Sequence, residues 1–114
     1  MMTKEFFQTG IDLFNEGKFF ECHEAWEEIW KRSAGADRLF YQGIIQAAVG
    51  ILHAQRGNRS GAASLYAKSS AKLDHLPDEH MGIALGELRE ALRTFFAVAL
   101  TGAPVPMPPK IRRL

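Results

Sequence analysis

Apolar residues in this chain recur every three or four positions and never alternate over the length of a strand, so the fold open to it is a set of packed helices. Glycines and prolines cut that pattern into five stretches. Phe6, Phe7, Ile11, Leu13 and Phe14 predict a first helix, with Gly17 as its stop. A second pattern starts at Phe19 and runs through Trp26, Ile29 and Trp30 until Ser33-Ala34-Gly35 breaks it. The two helices form a hairpin. From Asp37, read as an N-cap, to Gln55 nearly every side of a helix is apolar, which predicts a central, largely buried third helix closed by Gly57-Asn58. Ala62, Leu65, Tyr66, Ser69, Leu73 and Leu76 mark one face of a fourth helix, ended by Pro77. Leu85, Leu88, Leu92, Phe95, Phe96 and Ala99 line a fifth, with Gly86, Glu87, Arg89, Glu90 and Arg93 on its solvent side and Gly102 beyond its end. The expectation is an all-α, compact bundle of about five helices with no sheet.

Residues 104–114 stand apart. Pro104, Pro106, Pro108 and Pro109 forbid a helix, so this stretch reads as an extended Pro-rich tail ending in Lys110, Arg112 and Arg113, attached to a single helical domain over 1–103. The whole chain has 114 residues, 46% hydrophobic and 24% charged, an ordinary composition for one globular unit with a real core. A net charge of +1 spread over interleaved acids and bases gives no field to attract nucleic acid. No stretch reaches the roughly 18 apolar residues of a membrane span, and Met1–Gln8 lacks the apolar run of a signal peptide. With Cys22 as the only cysteine, no internal disulfide and no cysteine zinc cluster can form. These readings point to a cytoplasmic protein with no nucleic-acid or membrane partner.

The segment from Phe20 to Trp30 carries the densest chemistry. Helical spacing pairs His23 with Glu27, Glu24 with Glu28 and Trp26 with Trp30. His23 falls beside Trp30 within the apolar arc, which predicts that it is buried, with Glu27 at the arc's edge. The zinc-protease helix H-E-x-x-H is excluded because Glu27 stands where its second histidine belongs. On the third helix Gln42, Gln46 and His53 lie within about 40° of one another, flanked by Gly43 and Gly50. Glycine inside a helix costs about 0.5–1 kcal/mol relative to alanine, which close approach of a neighbouring backbone can offset; the second helix is the expected neighbour. His23, Glu27, Gln46 and His53 would then converge on one interior cluster sealed by Trp26 or Trp30.

Two accounts fit such a cluster. Either it is a buried hydrogen-bond network that fixes helix packing, or His23, Glu27 and His53 ligate a divalent metal while Glu24, Glu27 or Gln46 positions water or substrate. The first makes the chain a protein-interaction or self-associating module, working with a protein partner or as a homo-oligomer. The second makes it a small metal-dependent hydrolase. The first is favoured, since buried polar groups must find partners in any fold. Cys22 lies on the apolar side near Phe19 and Trp26, where a small hydrophobe is expected rather than a thiolate. His75 and His80, in the loop around Pro77, are expected to be solvated and are assigned no role.

The run Phe14-Asn15-Glu16-Gly17-Lys18-Phe19-Phe20-Glu21-Cys22-His23-Glu24-Ala25-Trp26-Glu27-Glu28-Ile29-Trp30 resembles the signature of the family catalogued as domain of unknown function 309. Phe40 to Val49, His53, Gly57-Asn58 and Gly61-Ala62 are similar to its second block, so the resemblance covers roughly residues 10–75. It implies a compact all-helical domain and no established activity. It also marks His23, Glu24, Glu27, Trp30, Gln46 and His53 as the residues to test.

Overall fold

The computed structural model describes residues 2–114, and Met1 lies outside them. The elements in chain order are α1 (Met2–Asn15), α2 (Phe19–Trp30), α3 (Gly35–Gln55), α4 (Arg59–Leu73), β1 (Glu79–His80), β2 (Ile83–Ala84) and α5 (Leu85–Ala99). Five helices account for the fold, as the periodicity predicts.

The first two helix stops share one geometry. Gly17 has φ 80° and Gly57 φ 79°, both left-handed. After α1 the amide of Gly17 donates to Phe14 and that of Lys18 to Leu13; after α3 Gly57 donates to Ala54 and Asn58 to His53. Each pair satisfies carbonyls that the helix end leaves orphaned. The start of α3 differs from expectation. Its cap is Ala34, with no side-chain hydrogen bond, and Asp37 lies inside the first turn, where its negative charge favours the helix dipole.

α1 and α2 form the expected hairpin, and Trp26 is its lock. Its ring is fully buried against Gly10, its Nε1 donates to the Phe7 carbonyl at 3.2 Å, and Phe14 lies 5.9 Å away. A Cβ at position 10 would fall inside the indole, so the absent side chain is the seat of the ring. α3 is central, with Phe40, Ile44, Ala47, Ala48 and Ile51 buried. Its glycines meet α4 rather than α2: Leu73 packs on Gly43, Leu65 and Ala62 approach Gly50, and the buried Ser69 hydroxyl donates to the Gly43 carbonyl at 2.7 Å. The expected neighbour is corrected because α4 carries the small residues that allow backbones to close, whereas α2 presents Trp26 and Trp30. Phe96 of α5 completes the layer, stacking on Tyr66 at 4.4 Å and touching the open side of Gly50.

A small sheet corrects the expectation of none. β1 and β2 pair antiparallel, Glu79 with Ala84 and His80 with Ile83, across a turn in which Met81 (φ 54°) and Gly82 (φ 73°) are both left-handed. Two-residue loops of this kind match the twist of the strands they join. Arg113 pairs with Ile83 on the other edge of β2. The run 104–110 is neither helix nor strand, and the residues after it are anchored: Ile111 is 4% exposed. Arg89, expected on the solvent face, instead turns inward, its Nη1 donating to the carbonyls of Leu73 (3.3 Å) and Leu76 (3.0 Å) and its Nη2 pairing with Asp78. It caps the end of α4 and ties it to α5.

Candidate functional site

Antiparallel packing of α2 on α3 leaves a notch of about 170 Å3 between them, lined by His23, Glu27 and Trp30 from α2 and Gln42, Ile45 and Gln46 from α3. The i,i+4 spacing brings His23 Nε2 to 3.0 Å from Glu27 Oε2, as expected. The pair is not interior, however. The His23 side chain is 28% exposed and that of Glu27 40%, so the expectation of a buried histidine is corrected. The apolar arc of α2 is sealed by Phe19, Cys22, Trp26 and Ile29, and His23 stands one step outside it, on the rim. Gln46 joins them on the floor, where its Oε1 accepts from Lys72 Nζ of α4 at 2.9 Å. That bond occupies the carbonyl side and leaves the amide N–H groups as donors.

Trp30 forms one end wall. The Arg38 guanidinium sits 4.1 Å from its ring centre, and Arg38 Nη1 donates to the Trp30 carbonyl at 3.3 Å. This cation–π contact and hydrogen bond fix the α2–α3 turn on one aromatic ring. Trp30 Nε1 is buried with no partner among the described residues. Glu24 is exposed and does not line the notch, as its offset of about 100° from His23 requires.

His53 is not brought to the notch. It sits seven residues beyond Gln46, about two turns along α3, and its Nδ1 lies 2.9 Å from Asn58 Nδ2. The amide nitrogen can only donate there, so it pairs with the tautomer whose Nδ1 is the acceptor. Asn58 Oδ1 in turn accepts from the Gly61 amide at 3.0 Å, capping α4. A Cβ on Gly61 would fall 2.6 Å from Asn58 Nδ2 and 3.2 Å from His53 Nδ1. His53, Asn58 and Gly61 therefore form one structural joint between α3 and α4. The expected ligand set of His23, Glu27 and His53 is not assembled, and among the described residues no three His, Cys, Asp or Glu side chains are grouped to hold a metal ion.

Burial pushes the Cys22 thiol well above its ordinary range, and the side chain is 0% exposed, which suits a packing role rather than a nucleophile. His80 corrects another expectation. It lies in β1, half-buried, with its ring 4.8 Å from that of Phe40 and its Nε2 without a partner among the described residues. Among the described residues no helix is long and apolar enough to cross a membrane.

Two curated proteins are similar to this chain. One, an uncharacterized protein YpuF of Bacillus subtilis (strain 168), is 32% identical over 84% of this chain and 57% of its own length. The other, an uncharacterized protein of Aquifex aeolicus (strain VF5), is 29% identical over 80% of this chain and 28% of its own length. The chain thus spans about half or less of these relatives, and the unit it forms recurs within longer sequences. The model of the family described as Domain of unknown function (DUF309) matches residues 7–65, from the Trp26 lock through the notch to the His53–Asn58 joint. That match takes in more than half of the chain, and the chain belongs to this family.

Proposed function

We propose that this domain is a helical interaction module whose docking face is the outer side of α2 together with the α2–α3 notch. The observation that carries the reading is the composition and exposure of α2. Phe20 is 51% exposed and lies 6.2 Å from the His23 ring. Glu21 and Glu24 are exposed around it, and the helix contains no lysine or arginine. An exposed ring bordered by carboxylates, beside a notch with amide donors and an apolar floor at Ile45, suits a protein segment that offers an apolar side chain next to a cation. Recurrence of the unit inside longer relatives supports a portable binding role. A cytoplasmic setting and the exclusion of nucleic acid belong to the same proposal, since an acidic helix face repels phosphate.

The test is a photo-crosslinking residue at position 20, compared with one at Ala63, which is exposed on α4. A discrete product at position 20, absent at 63 and reduced by Glu21→Lys with Glu24→Lys, supports the module; sedimentation shows whether the captured chain is a second copy. A strict monomer with no product at position 20 above the position 63 control overturns it.

A further inference from the structure

The two helices that flank α3 carry opposite charges. α2 holds Glu21, Glu24, Glu27 and Glu28 and no lysine or arginine, whereas α4 holds Arg59, Lys68 and Lys72 and no aspartate or glutamate. Glu27 is turned to His23 and Glu28 to Lys31. Among the described residues neither Glu24 nor Lys68 has an ion-pair partner, and both are exposed. Lys72 Nζ meets only neutral oxygens, Gln46 Oε1 at 2.9 Å and the Lys68 carbonyl at 3.3 Å. They satisfy its hydrogen bonds and leave its charge uncompensated.

Both helices border one surface. Between them α3 shows a half-buried stripe, Gln42, Ile45, Gln46, Val49 and Leu52, whose spacing of three and four keeps it on one side of the helix. Gln46 lies in the notch with His23 and Glu27 and also holds Lys72. The acidic wall, the amide and apolar floor and the basic wall are therefore continuous. Their heights match as well, because α2 and α4 both run antiparallel to α3. Glu27 and Lys72 stand at the level of Gln46. One turn further along α3, where Leu65 of α4 meets Gly50, the same step back along α4 and α2 brings Lys68 on one wall and Glu24 and Phe20 on the other.

Such a face is complementary to itself. A two-fold axis along α3 lays α2 of each copy over α4 of the other, so that Glu24 meets Lys68, Glu27 meets Lys72 and Phe20 meets Leu65, each contact occurring twice. The arrangement closes with α3 on α3. Along the 21 residues of α3 the face is about 30 Å long, and three helices spaced at 8–10 Å make it about 20 Å wide, which buries about 1,200 Å2 over two copies, enough for a specific interface.

We infer that the α2–α3–α4 face docks a second copy of this chain by this reciprocal pairing of α2 with α4. The inference rests on the docking face proposed above and names its occupant, since Leu65 beside Lys68 is an apolar side chain next to a cation.

The experiment is sedimentation equilibrium of the full chain, of Glu24→Lys, of Lys68→Glu and of an equimolar mixture of the two variants. The parent self-associates. Either substitution sets like charges against each other at two places in its own dimer and raises the dissociation constant by about tenfold, while the mixture regains the parent's affinity because the reversed charges meet as opposites at both places. Both positions are exposed, so urea midpoints stay near the parent's. Glu24→Gln and Lys68→Gln repeat the test without reversal: each weakens the dimer by less, and their mixture stays weaker than the parent. A dimer indifferent to these substitutions overturns the pairing, and one that mixing fails to restore overturns the two-fold arrangement. A monomeric parent overturns the inference. If its position 20 still crosslinks to a different protein, the docking face stands with another occupant; if nothing is captured there, that reading falls too.

Discussion

Toward α4, helix α3 presents Gly43 and Gly50, and the two backbones close until Leu73 and the Ser69 hydroxyl rest on Gly43. Toward α2 it presents Gln42, Ile45 and Gln46, and an opening of about 170 Å3 remains. One helix thus makes a sealed seam on one side and a recess on the other. The difference comes from side-chain size and polarity. Small residues let backbones approach and exclude water, whereas Trp30, His23 and Glu27 hold α2 off and keep polar atoms that need solvent or a ligand. Stability is expected to reside in the sealed contacts and binding in the recess.

The largest effect falls on the α1–α2 lock. Trp26→Ala removes a fully buried ring and its hydrogen bond to Phe7, and a loss of about 3–5 kcal/mol is expected from urea midpoints at constant slope. Gly10→Ala reaches the same lock from the other helix. Alanine improves helix propensity by about 1 kcal/mol, yet its Cβ would occupy the indole's place, so the variant is destabilised and the Trp26 fluorescence shifts. A stabilised Gly10→Ala protein would show that the ring is not seated there.

The face of α3 that meets α1, where Tyr41 packs edge-on against Phe7, also responds to alkali. Tyr41 is 2% exposed, and burial, with Asp37 one turn away adding to it, pushes its hydroxyl up to about 12. The folded value lies above the unfolded one of about 10, so the neutral phenol's contribution is complete below pH 10 and is lost as pH rises toward 12. Two units correspond to about 2–3 kcal/mol. Tyr41→Phe is expected to flatten this alkaline limb in pH-dependent unfolding, and an unchanged limb would assign it elsewhere. Tyr66 is shifted in the same direction by burial, with Asp74 adding and Arg93 opposing.

Within the α3–α4 seam the two glycines should differ. At Gly43 a Cβ meets Leu73 at 2.7 Å and 2.9 Å, while at Gly50 its closest contact is Phe96 Cζ at 3.2 Å. Overpacking costs about 1–3 kcal/mol, so Gly43→Ala loses stability despite better propensity. Gly50→Ala stays within about 0.5 kcal/mol of the parent, the propensity gain offsetting a small shift of the Phe96 ring tip. Equal costs would mean that the seam is uniform and that the asymmetry between these two positions is wrong. At the joint beyond it, Asn58→Ala removes the α4 cap and is expected to cost about 1 kcal/mol, without changing crosslinking at position 20.

These contrasts also mark what could be read along the chain. Five helices are legible because apolar residues recur at helical spacing in each, and Gly17 and Gly57 are legible because left-handed stops favour glycine. The β-hairpin is not, since strands of two residues are too short to show alternation. Nor is the anchoring of residues 111–114, because the bonds of Asn15 to the Ile111 backbone and of the Ala84 amide and Gly82 carbonyl to residues 112 and 114 involve main-chain atoms that every residue carries. His23, Glu27, Gln42 and Gln46 could be placed on facing stripes, but the spacing of one helix carries no information on which neighbour its glycines meet. Assigning Gly43 and Gly50 to α2 is what drew His53 into the same cluster, whereas Asn58, five residues on, claims it. Gly10 is silent in the sequence, since a glycine within an apolar stripe gives no sign of the tryptophan that covers it.

The smallest effect belongs to the recess, and it separates the two sides of α3 most directly. His23 and Glu27 are both partly exposed, so their mutual coupling is that of a solvent-accessible side-chain pair, about 0.2–1 kcal/mol in a double-mutant cycle. His23→Ala, Glu27→Ala and the double variant should therefore unfold within about 1 kcal/mol of the parent, while crosslinking at Phe20 falls if the pair orients the docking face. Large destabilisation would instead make the pair a structural element like the Trp26 lock, and the recess would then be an imperfection of the seam. Stability retained with crosslinking lost is the outcome expected of side chains held at the rim of a notch, where packing asks little of them and a partner can reach both.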